Sequence, residues 1–330
     1  MSIIDDRQGA DGWADMPPSL REFIVALRSQ PGLHVDTAAR LLAAGSIQTG
    51  DLEFWQRLDH AAVDSYGIAP IHEEAGFTLQ LSSWRPGDMS AIHGWGSSAW
   101  QLTQFLGEAE YATFEDQGGL LTTQGRRHCS AGEIVILPPG GIQQIGNTAD
   151  ASFLCLQLLG RQEGEGNACM ELQLYDLDEG KLLHPAGMAA FFLPAQLQEG
   201  GSERRIQGDF PTWLRHNTEL LLRLDHMQPL GGRPGLAARE ARLLTEFNTA
   251  DTWRALRQEM RLRLPRLDAG QQEAYIRSLS RELVSATRLF IQLHSGGRFD
   301  PRQEVLELIG EIIAMLEHDD FIARIAGSED

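Results

Sequence analysis

Trp84 to Trp100 reads WRPGDMSAIHGWGSSAW, and the fold turns on the residues after Gly87. Five residues separate Gly87 from His93, and Trp95 stands two positions further on. On an extended strand, residues two apart point to the same face. His93 and Trp95 therefore share a face, but not a chemistry. Imidazole is a good ligand for iron, copper or zinc. The indole N–H only donates a hydrogen bond and cannot ligate a metal. Its bulk also fills the space that a metal and a third ligand need.

Outward from this stretch, the pattern changes period twice. Before it, residues 17–66 read helical. PPSLREFIVALRSQ sets Leu20, Phe23, Ile24 and Leu27 on one stripe. VDTAARLLAAG and TGDLEFWQRLDHAAV follow as two more helical segments. At Gly76 alternation takes over: FTLQLSSW sets Phe77, Leu79 and Leu81 against Thr78, Gln80 and Ser82. Short strands then come at close spacing, SAWQLTQFLG, EAEYATFED, GLLTTQGRRHC, GEIVILPP, IQQIGNT, SFLCLQLLG and MELQLYDLD, divided by Gly-, Pro- and Asn-rich turns. That spacing predicts a β-sandwich or jelly-roll barrel. From about residue 200 to the end the pattern is helical. Ile276, Leu279, Leu283, Leu289, Phe290 and Leu293 lie at helical spacing, as do Val305, Leu308, Ile309, Ile312 and Leu316. The stripes are wide, which predicts a small helical bundle.

The 330 residues allow two domains, and 42% hydrophobic content allows a real core. A net charge of -18 argues against nucleic acid and against anionic membrane. No run of about 18 apolar residues exists, so no membrane span is expected. The cysteines are Cys129, Cys155 and Cys169, with no C-x-x-C pair. MSIIDDRQGADGW lacks the apolar stretch of a signal peptide, so a reducing, cytoplasmic location is expected.

Gly87, His93 and Gly107 together resemble the first motif of the cupins. Gly132, Pro138, Gly140 and Asn147 in GEIVILPPGGIQQIGN resemble the second. Helices first, then FTLQLSSWRPGDMSAIHGW, FLGEAEYATFE, SFLCLQLLG and YDLDEGK, resemble the cysteine dioxygenase family of thiol dioxygenases. The resemblance implies a cupin jelly roll with N-terminal helices over residues 17–195, after a flexible 1–16, with an all-α helical domain over 200–330 outside it. The family holds ferrous iron with three histidines, and only His93 matches. The second falls at Trp95 and the third at Gln143, or at Gln144 if the turn shifts. The crosslinking cysteine of some members falls at Trp100 and its tyrosine near Gln157. The outer-sphere histidine falls at Cys155. The substrate-binding arginine should follow Tyr66, where Gly67, Ile68 and Ala69 stand.

The expected function is therefore a degenerate cupin that binds a small molecule in its barrel, with non-redox catalysis open to it. His93 is the candidate acid/base group, because its unperturbed pKa suits proton transfer near neutrality. Trp95, Trp100, Gln143, Cys155 and Gln157 are the expected ligand-binding residues. Cys155, between Leu154 and Leu156, reads as an inert buried thiol, with a soft metal ligand or nucleophile as the alternative. No cofactor is expected. A first alternative is an oxygenase holding iron or another transition metal through an altered set, His93 with Gln143, Cys155 or His128. A second is a scaffold or interaction subunit. The C-terminal helices are a candidate homodimer element or lid. His128 and Cys129 are placed at a strand end, and His72, Glu73 and Glu74 in a solvated turn. RALRQEMRLRLPR over 254–266 reads as a basic helix face.

Overall fold

The computed structural model describes residues 12–30, 32–61, 64–74, 76–161, 172–185, 189–190, 202–227, 234–295 and 303–316. The chain divides into two compact units. The first comprises 1–115, 124–176 and 182–203; the second comprises 116–123, 177–181 and 204–330. Of the segment expected to be flexible, 1–11 lie outside the described residues, and Gly12–Asp15 form a short helix, α1.

In the first unit α1 is followed by α2 (Pro18–Arg28), α3 (Val35–Ala44) and a 3-10 turn (Thr49–Trp55). The third helical segment of the sequence is thus a tight turn. α2 starts with proline inside its first turn, where a missing N–H costs nothing. Its buried residues are Leu20, Phe23, Ile24 and Leu27, the stripe read from sequence. The strands are β1 (Gly67–Glu73), β2 (Phe77–Trp84), β3 (His93–Gly94), β4 (Ala99–Phe105), β5 (Ala109–Gln117), β6 (Leu120–Cys129), β7 (Ile134–Leu137), β8 (Ile142–Gly146), β9 (Phe153–Arg161) and β10 (Gln173–Asp176). One sheet runs β1-β2-β9-β4-β7, and the other contains β10-β3-β8-β5-β6 in that order.

Strand alternation divides two layers of core. Leu154, Leu156 and Leu158 on β9, with Leu79, Leu81, Trp100 and Leu102, pack against Leu20, Phe23, Ile24 and Leu42 of the helices. The alternate residues of the same strands face the other sheet. Trp84, Phe105, Phe153 and Cys155 meet Tyr111, Cys129 and Ile145 there. Trp84 stacks between Tyr66 at 4.3 Å and Phe153 at 5.7 Å. Two glycines are needed where they stand. Gly87 has φ 81°, which only glycine adopts without strain. Gly160 lies under the Trp100 indole, and a Cβ there would come within 2.0 Å of Cζ2.

Residues 71–74 are not a solvated turn. Ile71, His72 and Glu73 belong to β1, an edge strand with a register irregularity between Pro70 and His72. Cys129 ends β6, as expected from sequence, and is buried.

The chain beyond 200 does not begin as helix. It opens with the short strands β12 (Ser202–Arg205) and β13 (Gln207–Gly208), after β11 (Lys181–Leu183). Within the second unit β13 pairs in parallel with Leu120 and Leu121. Among the described residues five helices follow: α4 (Phe210–Met227), α5 (Pro234–Phe247), α6 (Ala250–Arg263), α7 (Ala269–Ser295) and α8 (Gln303–Leu316). Phe247, Trp253 and Phe290 form its aromatic centre, with ring centroids 5.3–6.2 Å apart. α4 also buries Arg215, His216, Asn217 and Thr218. Among the described residues, no helix is long and apolar enough to cross a membrane.

Candidate functional site

The inward-facing polar residues of the first unit meet around His93. β3 pairs with β8, which sets His93 directly opposite Gln143. His93 is buried, and its Nδ1 lies 2.9 Å from the Ala91 carbonyl. A carbonyl only accepts, so Nδ1 carries the proton. Nε2 is then a bare lone pair, and it accepts from the Gln143 amide nitrogen at 3.2 Å. The same Gln143 nitrogen donates to Gln101 Oε1 at 3.1 Å. Trp95 Nε1 donates to that oxygen too, at 2.5 Å. Gln101 Nε2 in turn donates to Thr103 Oγ1 at 2.8 Å. These bonds fix both amide orientations. Turning Gln143 over would set its oxygen against Gln101 Oε1. The two N–H groups of Gln143 are thereby used, and its buried Oε1 has no partner among the described residues.

Electrostatics follow from burial. Desolvation lowers the His93 pKa from 6.5 to about 4, against the Ala91 bond, which favours the charged ring. At neutral pH the ring is neutral, with both nitrogens engaged. It is therefore a poor proton carrier near pH 7, contrary to what its unperturbed pKa suggests. The Tyr111 hydroxyl is also buried without a partner among the described residues, and burial raises its pKa.

The structure brings His93, Trp95 and Gln143 together. Trp100 is placed elsewhere. It sits on the opposite face of β4 from Gln101, in the core beneath the N-terminal helices. Gln157 stands opposite Thr103 on the inward face, where its Oε1 accepts from Gln80 at 2.9 Å. Cys155 stands opposite Phe105, buried, and its backbone carbonyl accepts from Ser82 Oγ at 3.4 Å. Gln144, the other candidate for the third ligand, points away from Gln143 and donates to the Ser90 carbonyl at 2.9 Å. Sequence reading missed Gln101. Its signal was the polar pair Gln101 and Thr103 alternating with apolar Trp100 and Leu102. Where helices cover one face of a sheet, the apolar side goes to the helices.

Both described thiols are poorly ionised. Burial raises Cys155 well above its ordinary value, and raises Cys129 to about 11 despite Arg127 nearby. Cys169 lies outside the described residues. With Cys169→Ser, a thiol reagent at about pH 8 should find no fast-reacting group until denaturant is added, because the thiolate is the nucleophile. Rapid labelling of Cys155 in the folded protein would contradict this.

A metal at this position does not fit the residues present. The His93 lone pair is capped by an N–H, Trp95 offers only a donor, and Gln143 turns its nitrogen inward. Among the described residues, no group of three His, Cys, Asp or Glu side chains is placed to hold a metal ion.

No family model and no curated protein matches the chain. Solved structures match part of the chain. One is an uncharacterized conserved protein with a double-stranded beta-helix domain from Klebsiella pneumoniae. It is 19% identical over 37% of this chain and 87% of that one, with a TM-score of 0.30. Another is a Cupin 2 conserved barrel domain protein from Salinispora arenicola, 23% identical over 32% and 86%, with a TM-score of 0.26. A third is an oxalate oxidase in complex with glycolate, 15% identical over 30% and 53%, with a TM-score of 0.26. The fold is a two-sheet β-barrel with N-terminal helices, followed by C-terminal helices. Two of these three carry a double-stranded beta-helix or cupin description, and none is described as a thiol dioxygenase.

Proposed function

We propose that this chain is a cupin that holds a small organic molecule in its barrel, without the three-histidine iron site of the thiol dioxygenases its sequence resembles. The observation that carries this reading is the unpartnered Gln143 Oε1. A buried acceptor left unmade costs about 1–3 kcal/mol, and a ligand N–H or O–H would recover that. The network from His93 to Trp95 contains no formal charge, so it suits a neutral ligand. The indole of Trp95, tied to this network through Gln101, would give that ligand a flat apolar surface. Binding is favoured over acid/base catalysis, because the His93 ring is neutral and doubly engaged.

Protein purified without added metal or chelator should carry far less than one iron, copper, nickel or zinc per chain, unchanged in His93→Ala. Trp95→His with Gln143→His should gain iron, because it supplies imidazoles beside and opposite His93. Mass spectrometry of the purified protein, with a thermal-shift screen of small amides and alcohols, tests the ligand. Gln143→Leu should abolish the response. One metal per chain that disappears with His93→Ala would overturn the reading in favour of an altered-ligand oxygenase. No bound molecule and no thermal response would favour a scaffold.

A further inference from the structure

We propose a second binding site in the first unit, a cleft that takes a small monocarboxylate with an apolar tail. The cleft has a volume of about 290 Å³. Its walls come from the end of α2, the turn into α3, the β1–β2 turn and the end of β9. Leu27, Leu33 and Phe77 supply apolar surface, and Arg28, Glu74 and Arg161 supply charge. None of these residues belongs to the His93 network.

Arg161 carries the inference. It is half-buried, and its Nε is inaccessible to solvent, with no hydrogen-bond partner among the described residues. Its backbone N–H bonds to the Gly76 carbonyl at 3.4 Å, which anchors the residue at the cleft. A chain with 46 acidic and 28 basic residues has carboxylates to spare. A half-buried guanidinium left without one among the described residues is therefore informative. A buried N–H left without a partner is costly, and a planar guanidinium matches a carboxylate through two parallel N–H bonds.

The other charges at the site are already balanced. Arg28 Nε donates to Glu74 Oε2 at 2.8 Å, and His72 Nε2 lies 3.0 Å from the same oxygen. The Arg28 guanidinium also rests 5.0 Å from the Trp13 ring centroid. Two guanidiniums against one carboxylate leave one net positive charge in the cleft, the complement of one anion. The small volume and the leucine and phenylalanine walls select a short tail rather than a polar or multiply charged ligand.

The test is calorimetric titration of the full-length protein with hexanoate, hexan-1-ol and hexylamine at constant ionic strength. Hexanoate should bind saturably, with hexanol at least tenfold weaker and hexylamine not at all. Arg161→Gln should lose at least tenfold for hexanoate and leave hexanol unchanged, and Arg161→Lys should recover part of the loss. Equal binding of hexanoate and hexanol to the wild type would overturn the proposal whether or not the variants fold. So would hexanoate binding that Arg161→Gln leaves intact, or no hexanoate binding at all.

Discussion

Lowering the pH from about 6.5 to about 4 should cost the barrel about 3 kcal/mol through His93 alone, at roughly 1.4 kcal/mol per pKa unit. The folded-state pKa lies below the unfolded value, so the unfolded chain binds more protons throughout that interval. Stability from this group is complete above pH 6.5 and is lost as pH falls through 4. His216 acts in the same direction in the second unit. Burial, followed by the charge of Arg239, lowers its pKa to about 3, with Asp178 opposing. Carboxylates also protonate in this range, so the informative quantity is a difference. Denaturant unfolding across the interval should show a shallower pH slope in His93→Gln than in the wild type. Equal slopes would mean that His93 already takes up a proton in the folded state at its ordinary pKa.

The second large effect concerns Trp100 and Gly160. Trp100→Ala should destabilise the first unit by about 3–5 kcal/mol, as expected for emptying an aromatic site in a core. Gly160→Ala should cost about 2–3 kcal/mol or more, because a methyl carbon 2.0 Å from Trp100 Cζ2 forces the indole to move. The two losses should not add. Once Trp100 is alanine, the Gly160 methyl has room, and the double variant should be close in stability to Trp100→Ala. Simple additivity would mean the indole does not lie over Gly160. Ligand binding in the barrel should survive Trp100→Phe, which keeps most of the packing, whereas a pocket wall at Trp100 would make binding sensitive to it.

The fold was legible wherever alternation was strong. β2 and β9 carry leucines on every second residue, and their bounds follow from that pattern. β1 was missed because Gly67 and Pro70 interrupt it and a register irregularity follows the proline. Proline lacks the ladder donor and is tolerated at a sheet edge, which is where β1 lies. The site was half legible. His93, Trp95 and Gln143 could be read because motif spacing places them. Trp100 took the role of Gln101 because spacing alone cannot settle strand parity, and a shift of one residue reverses the face. The buried Arg215, His216 and Asn217 of α4 had no signal at all, since polar residues in a helix ordinarily read as its wet side.

The chain of bonds around His93 has a further consequence, for conduction. Each link has a fixed direction: Nδ1–H to the Ala91 carbonyl, Gln143 N–H to Nε2, and Gln143 and Trp95 N–H to Gln101 Oε1. A carboxamide does not pass a proton on as water or a carboxylic acid does. Gln143 therefore insulates the imidazole from the rest of the interior. Charge arriving at one end cannot hop to the other, and the row of amides works as a set of fixed dipoles.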